Sequence, residues 1–384
     1  MIDQPETLLQ CLQDLERCDT LSFDLEFDNN RFSYGVTLCL IQVATPQVCY
    51  VIDPLANLDL SELYALFESP GIQKIVHASG EDLRLLHSLG CYPKNVFDTE
   101  VAARLLNYEH TSLTVLLRDK LAFEMDKKEQ KSNWLRRPLS GSQVQYAADD
   151  VLWLHPLKRV LEAEAGAKDL LPFLREEQEL LSTTIYPSLS KTNFLKPSDL
   201  YTLSPREQYI TNELLGYFHE LARDINRPVY QIMRDEVVRD LAAGTRLPES
   251  IVQDQGVHPR LKNSRFVARL AGQLAQIRKA AAAQNLSDEK QRRPKLTPAE
   301  WAAVNKAAND REQVFTPIQQ ALVQRFGEHA AKFLFSNKAM NSLLEGSITL
   351  QDIKPAYRQG LIRTIAAEAG IDLGTYDIDA AGRK

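Results

Sequence analysis

The chain is expected to fold as a mixed α/β domain followed by all-helical domains, and three observations predict this. Strand-like alternation dominates residues 21–53, a helix–strand–helix succession follows over residues 60–89, and after about residue 175 strand patterning fades into helical segments. A length of 384 residues with 44% hydrophobic and 25% charged residues fits two or three globular domains with a sizeable core.

The first strand carries FDLEFD, residues 23–28. Alternation puts Leu21, Phe23, Leu25 and Phe27 on one face and Ser22, Asp24, Glu26 and Asp28 on the other. The carboxyls of Asp24 and Glu26 therefore point the same way, with no basic residue nearer in sequence than Arg31. Residues 36–53 (VTLCLIQVATPQVCYVID), broken near Thr45-Pro46, read as two more strands, which makes three consecutive antiparallel strands. LSELYALFES (60–69) reads as helix, QKIVHA (73–78) as strand and GEDLRLLHSL (80–89) as helix, so the sheet is mixed. Asp98 in FDTE is a candidate N-cap, and Ser140 in SGSQ opens a capping box before a long helix through about residue 164.

The expected domains are 1–175, a connecting segment 176–205 that includes KTNFLKPSDLYTLSP, a helical domain 206–281 and a second helical domain 298–370. Helix breaks are expected near Asn226-Arg227-Pro228, Gly244 and His258-Pro259, and the tail GTYDIDAAGRK is expected to be loose. A polar stretch, 282–297, separates the two helical domains.

Charge divides along the chain. Residues 1–100 hold 5 basic and 16 acidic residues, whereas residues 251–300 hold 10 basic and 4 acidic, so a net charge of −6 conceals an acidic part and a basic part. That polarity suits a protein that holds cations in one place and a polyanion in another. Five cysteines, Cys11, Cys18, Cys39, Cys49 and Cys91, include no Cys-x-x-Cys pair, which argues against zinc fingers and disulfide frameworks. The N-terminus lacks the basic start and apolar run of a signal peptide, and no apolar run reaches membrane-spanning length, so a cytoplasmic protein without membrane contact is expected.

Two further acids join Asp24 and Glu26. Asp82 opens a helix at the C-terminal edge of the sheet. In YAADDV, Tyr146 and Asp150 lie four apart on a helix and share a face, whereas Asp149 lies about 100° round. Converging carboxylates repel by about 4 kcal/mol per pair at ~4 Å, and divalent cations remove that objection. Hard oxygen ligands without histidine or cysteine favour Mg²⁺ or Mn²⁺, and two such ions suit phosphodiester hydrolysis. Taken singly, Asp24 and Glu26 read equally as the solvated face of an edge strand, Asp82 as a helix-start charge, Asp150 as a surface residue and Tyr146 as core. Glu81, Asp53 and Asp98 are read as structural, and His77 and His155 as packing or surface residues.

FDLEF, HASGEDLRLL and YAADDV resemble, in order and spacing, the three exonuclease motifs of the DEDD superfamily, tyrosine subclass, and specifically of the ribonuclease D family. MDKKEQKSNWLRRPLSGSQVQYAADDV (125–151) is similar to the family's stretch between the second and third motifs. The resemblance covers residues 20–165 and extends to 206–280, which looks like the helicase-and-ribonuclease-D C-terminal (HRDC) domain; a second, diverged copy is envisaged after residue 297. It implies a ribonuclease H-like exonuclease fold in which Asp24, Glu26, Asp82 and Asp150 hold two metal ions, Asp24 bridging them, and Tyr146 orients the attacking water. Histidine of a sister subclass would fall at Gln145. Leu25 stands where threonine is commoner in the family, and Asn133 where aspartate is usual.

The implied activity is 3′→5′ exoribonuclease action on structured RNA, transfer RNA precursors being the family's substrate class, with a monomer favoured. Two basic regions are read as substrate contacts: residues 118–137, with seven basic and four acidic residues, and residues 258–295, with ten and two. The rivals are a DNA exonuclease sharing every catalytic residue and a nucleic-acid-binding scaffold that no longer cuts.

Overall fold

Pairing of the alternating segments produces a five-stranded sheet of order β3-β2-β1-β4-β5, seen in a computed structural model that describes residues 1–187, 193–291 and 296–377. The strands are β1 (Thr20–Asn29), β2 (Val36–Ala44), β3 (Cys49–Ile52), β4 (Gln73–Val76) and β5 (Val96–Asp98). β1, β2 and β3 pair antiparallel, as the alternation predicts, and β4 and β5 run parallel to β1. Three-residue β5 is too short to leave a periodic signal in the sequence.

The β1–β2 register slips between Glu26 and Phe27, where Cys39 is the extra residue on β2. Asp28, expected beside Asp24 and Glu26, is instead buried and spent on the hairpin, where it accepts from Ser33 N and Ser33 Oγ, both at 2.9 Å, and from Phe32 N at 3.0 Å.

One face of the sheet packs against α1 (Pro5–Leu15), α2 (Ser61–Glu68) and α3 (Gly80–Ser88), with Phe23 stacked on Phe67 at 4.6 Å. The opposite face meets α4 (Thr99–Leu105), α5 (Leu113–Leu121), α6 (Gly141–Leu152) and α7 (Leu154–Ala167). The single long helix expected through residue 164 is broken at Trp153 into α6 and α7, because Pro156 has no N–H for the Leu152 carbonyl. The next helix, α8 (Leu171–Thr183), crosses the expected 175/176 domain boundary. Its buried Gln178 donates to the Asp98 carbonyl at 3.0 Å, so the connecting segment is shorter than expected.

The first helical block comprises α9 (Asp199–Thr202), α10 (Pro205–Ile225), α11 (Val229–Ile232), α12 (Asp235–Ala243) and α13 (Ser264–Ala283), around a core of its own that includes Leu214, Phe218, Leu241 and Leu270. Its breaks fall where predicted: Asn226 (φ 50°) and Gly244 (φ 76°) end helices in the left-handed conformation, and Pro259 opens a 3₁₀ turn. This block meets the α/β domain at the β1–β2 hairpin, where Tyr34 N donates to Asn226 Oδ1 (3.1 Å) and Tyr230 Oη donates to the Arg31 carbonyl (3.0 Å).

The second block differs. α14 (Pro298–Asp310) runs through a π-helical turn at Arg311–Phe315 into α15 (Thr316–Phe326), followed by α16 (Glu328–Leu334), α17 (Asn337–Leu344) and α18 (Ala356–Glu368). Phe315, Ile318, Phe335 and Ile365 share one apolar cluster with Ile75, Phe97, Ala102 and Leu161 of the α/β domain, so the block expected as a second helical domain packs its apolar faces into that domain's core. Helical periodicity shows which face needs covering, not what covers it. Asn107 seals the junction: its Oδ1 accepts from His329 N (2.8 Å) and Ala330 N (3.1 Å) at the start of α16.

Among the described residues no helix is long and apolar enough to cross a membrane. Arg292, Arg293 and Lys295 of the basic stretch, residues 188–192 of the connecting segment and residues 378–384 of the tail lie outside the described residues.

Candidate active site

Three elements deliver the acids. β1, at the centre of the sheet, carries Asp24 and Glu26. α6 starts at a full capping box, Ser140 Oγ accepting from Gln143 N and Gln143 Oε1 from Ser140 N, which fixes the phase in which Tyr146 and Asp150 arrive one turn apart. A buried bond from Ser22 Oγ to the Val151 carbonyl, 2.8 Å, ties the end of α6 to β1. Asp82 comes from the first turn of α3.

Asp24, Glu26 and Asp150 each place a carboxylate oxygen within 4.8 Å of the others. Asp82 stands outside this trio, close enough for its charge to act on Glu26 and for those of Asp24 and Asp150 to act on it. Tyr146 is buried, near enough to Asp150 for its hydroxyl to favour that carboxyl's charged form, and lies against Trp134, ring centroids 6.1 Å apart. The trio and Tyr146 line a cleft of about 340 Å³ together with His77 and Lys127.

Burial lifts every one of these acids. Asp24 is pushed up to about 7, with a backbone bond from Leu25 as the opposing influence. Burial, then the charge of Asp24, pushes Asp150 up to about 9, with Tyr146 opposing. Glu26 goes up to about 10 through burial and then the charges of Asp24, Asp150 and Asp82. Burial first, and neighbouring carboxylates second, hold Asp82 well above the usual range. The same causes raise the Tyr146 phenol, so its hydroxyl stays a donor. Among the described residues no basic side chain bonds or pairs with any of the four acids. An all-oxygen, like-charged set of this kind fits hard divalent cations, which need such ligands and neutralise their repulsion.

Other predicted residues have different employment. Asp149 accepts from Gln145 Nε2 at 2.9 Å, away from the trio, and Asn133 Oδ1 accepts from Leu135 N in a local turn. His155 packs, its Nε2 3.1 Å from the Ala44 carbonyl. His77, read as packing or surface, stands instead in the cleft wall. Of the basic cluster 118–137, Lys127 borders the cleft, but Arg137 is a structural staple: Nε and Nη2 grip Asp53 at 2.5 and 2.7 Å, and Nη2 also donates to the Cys39 carbonyl. Asp98 caps α4 as the sequence suggested, but sequence reasoning passed over Ala78 in the cleft wall and the bonds by which Asp98 holds it. Those bonds join residues about twenty apart, for which no local pattern exists.

Residues 1–165 match the family model described as 3′–5′ exonuclease. A ribonuclease D of Desulfotalea psychrophila is 31% identical over 248 residues, 63% of this chain and 66% of that protein. A ribonuclease D of Jannaschia sp. is 29% identical over 355 residues, 89% of this chain and 85% of that one. The match thus spans just under two thirds of the Desulfotalea protein and most of the Jannaschia one. The crystal structure of Escherichia coli RNase D shares the fold across 96% of this chain and 98% of its own, with TM-score 0.67 and 22% identity. With the motifs, the sheet and the acid cleft in agreement, the chain carries a 3′–5′ exonuclease domain over residues 1–165 and is similar to ribonuclease D proteins along most of its length.

Proposed function

We propose that this chain is a 3′–5′ exoribonuclease that uses two divalent cations, Mg²⁺ or Mn²⁺, to release nucleoside 5′-monophosphates from structured RNA, transfer RNA precursors among them. The observation that carries the reading is the trio Asp24, Glu26 and Asp150, drawn within 4.8 Å without a basic partner among the described residues. Asp24, Glu26, Asp82 and Asp150 would hold the ions, Asp24 serving both. When bound, the ions supply Lewis acidity, lowering the pKa of water and offsetting charge on the leaving oxygen.

The chain's own groups do the rest. Tyr146, protonated and anchored on Asp150 and Trp134, orients a water in line with the terminal phosphodiester. The water oxygen bonds to phosphorus as the bond from phosphorus to the 3′-oxygen of the preceding nucleotide breaks. The attacking water gives up a proton and the departing 3′-oxygen takes one, so the RNA, one nucleotide shorter, ends in a 3′-hydroxyl. Lys127 at the cleft mouth and exposed Arg260, Arg265 and Arg269 of the first helical block, which we read as HRDC-like, would hold the RNA backbone.

Digestion of a 3′-extended transfer RNA beside matched RNA and DNA oligonucleotides tests this. The expected result is Mg²⁺-dependent release of 5′-monophosphates from RNA, abolished by chelator. Equal degradation of DNA would favour a DNA exonuclease, and no product at any metal concentration would favour a binding scaffold.

A further inference from the structure

Beside the cleft the chain leaves β4 and enters α3 through His77, Ala78 and Ser79, and Asp82 follows three residues later. Ala78 has φ 54°, in the left-handed region that an alanine rarely occupies, and both His77 and Ala78 line the cleft. A strained corner at the rim of a site persists only where its surroundings hold it.

Asp98 holds it. Its carboxylate, 2% exposed, accepts four hydrogen bonds: Oδ1 from Ala78 N (3.0 Å) and Glu100 N (2.8 Å), Oδ2 from Ser79 N and Ser79 Oγ (both 2.9 Å). Only the Glu100 bond is a helix cap; the other three reach across to the corner. Thr99 extends the clamp, its Oγ1 donating to the Val76 carbonyl (3.0 Å) and lying 2.9 Å from His77 Nδ1. Gln178 fixes Asp98 in turn, accepting from Asp98 N at 2.7 Å and donating to its carbonyl at 3.0 Å. Asparagine substitutes poorly, since its NH₂ would face a backbone N–H whichever way the amide is turned, Ala78 N and Glu100 N on one side or Ser79 N on the other.

β1 and α6 set the trio, but Asp82 stands outside it, so its reach toward a cation is governed by the corner from which α3 springs. Resting on the exonuclease reading above, we propose that Asp98 is a positioning residue: by clamping His77–Ala78–Ser79 with both oxygens it sets where Asp82 is presented, and so supports one of the two cations.

Mn²⁺ binding to the full chain, counted from the electron paramagnetic resonance signal of the free ion, tests this without reference to activity. Wild type is expected to bind two ions. Asp98→Asn should keep one and bind the other about 10-fold or more weakly, in the range for losing a group that orients a ligand, and should match Asp82→Asn. Unchanged affinity for both ions in Asp98→Asn would overturn the role while leaving the exonuclease reading intact. A wild-type chain that binds no Mn²⁺ would overturn that reading and this role with it. If Asp98→Asn does not fold, Ser79→Ala, which deletes one of the clamping bonds, decides: selective weakening of one ion supports the role, and two unaltered sites reject it.

Discussion

Two regions of this sheet bury carboxylates, and they do so in opposite ways. At Asp53 the chain supplies its own counter-charge, with Arg137 gripping both oxygens while Leu55 N donates to Oδ1 at 3.0 Å. Glu177 is met likewise by Tyr357 Oη (2.5 Å) and Arg358 Nε (2.7 Å) from the second helical block. In the cleft, Asp24, Glu26 and Asp150 are pressed together with Asp82 nearby, and little opposes their burial beyond a backbone N–H at Asp24 and the Tyr146 hydroxyl near Asp150. Leaving a buried charge unpaired is costly, and among the described residues no basic side chain bonds or pairs with these four acids. Acids that the chain neutralises itself hold the architecture; on the function proposed above, the acids that it leaves unmet are the ones kept for a ligand.

The contrast is broken most sharply by removing an acid from each region. Asp24→Asn should slow RNA shortening by about 10³-fold or more, the equivalent of several kcal/mol of transition-state stabilisation, while the metal-free unfolding midpoint holds or rises because a repulsive charge is gone. Near-normal turnover would reject the site. Arg137→Ala, which strands Asp53, should instead cost about 3 kcal/mol in a urea titration. Equal stability losses in the two variants would erase the distinction.

Smaller effects sharpen it. Tyr146→Phe should retain Mn²⁺ affinity and slow the reaction by about 10²-fold if the hydroxyl orients the water. An unchanged rate would reduce the tyrosine to packing. The raised carboxyls also dictate a pH dependence. A carboxyl whose folded pKa lies above its unfolded value, about 4, stabilises the fold fully below that value and loses the contribution as pH rises through the folded one. Metal-free protein therefore weakens as pH climbs through the values near 7, 9 and 10 of Asp24, Asp150 and Glu26. Divalent ions bind the ionised forms, so the Mg²⁺-induced gain in unfolding midpoint should grow between roughly pH 6 and pH 9. A gain that ignores pH would contradict the assignment.

The site's first layer was legible because each part is local. Period-two alternation aligns Asp24 with Glu26, and a four-residue helical step aligns Tyr146 with Asp150. Asp28 borders a hollow with Glu26, but its bonds to Phe32 and Ser33 belong to the hairpin that follows, which alternation along one strand does not describe. Asp82 was legible as a helix-start acid, but its offset from the trio depends on a corner clamped from Asp98. The fate of Arg137 depended on Asp53, eighty-four residues away. The second helical block showed its apolar faces without showing that α4, α7 and α8 would cover them.

The most direct test of the central claim follows thermal unfolding of wild type and Asp24→Asn through a Mg²⁺ titration at mildly alkaline pH. The wild-type midpoint should climb with Mg²⁺ concentration, as expected of a ligand that binds only the folded chain, while that of Asp24→Asn stays flat. Two flat curves, or two that climb together, would contradict the claim that these acids are kept for metal.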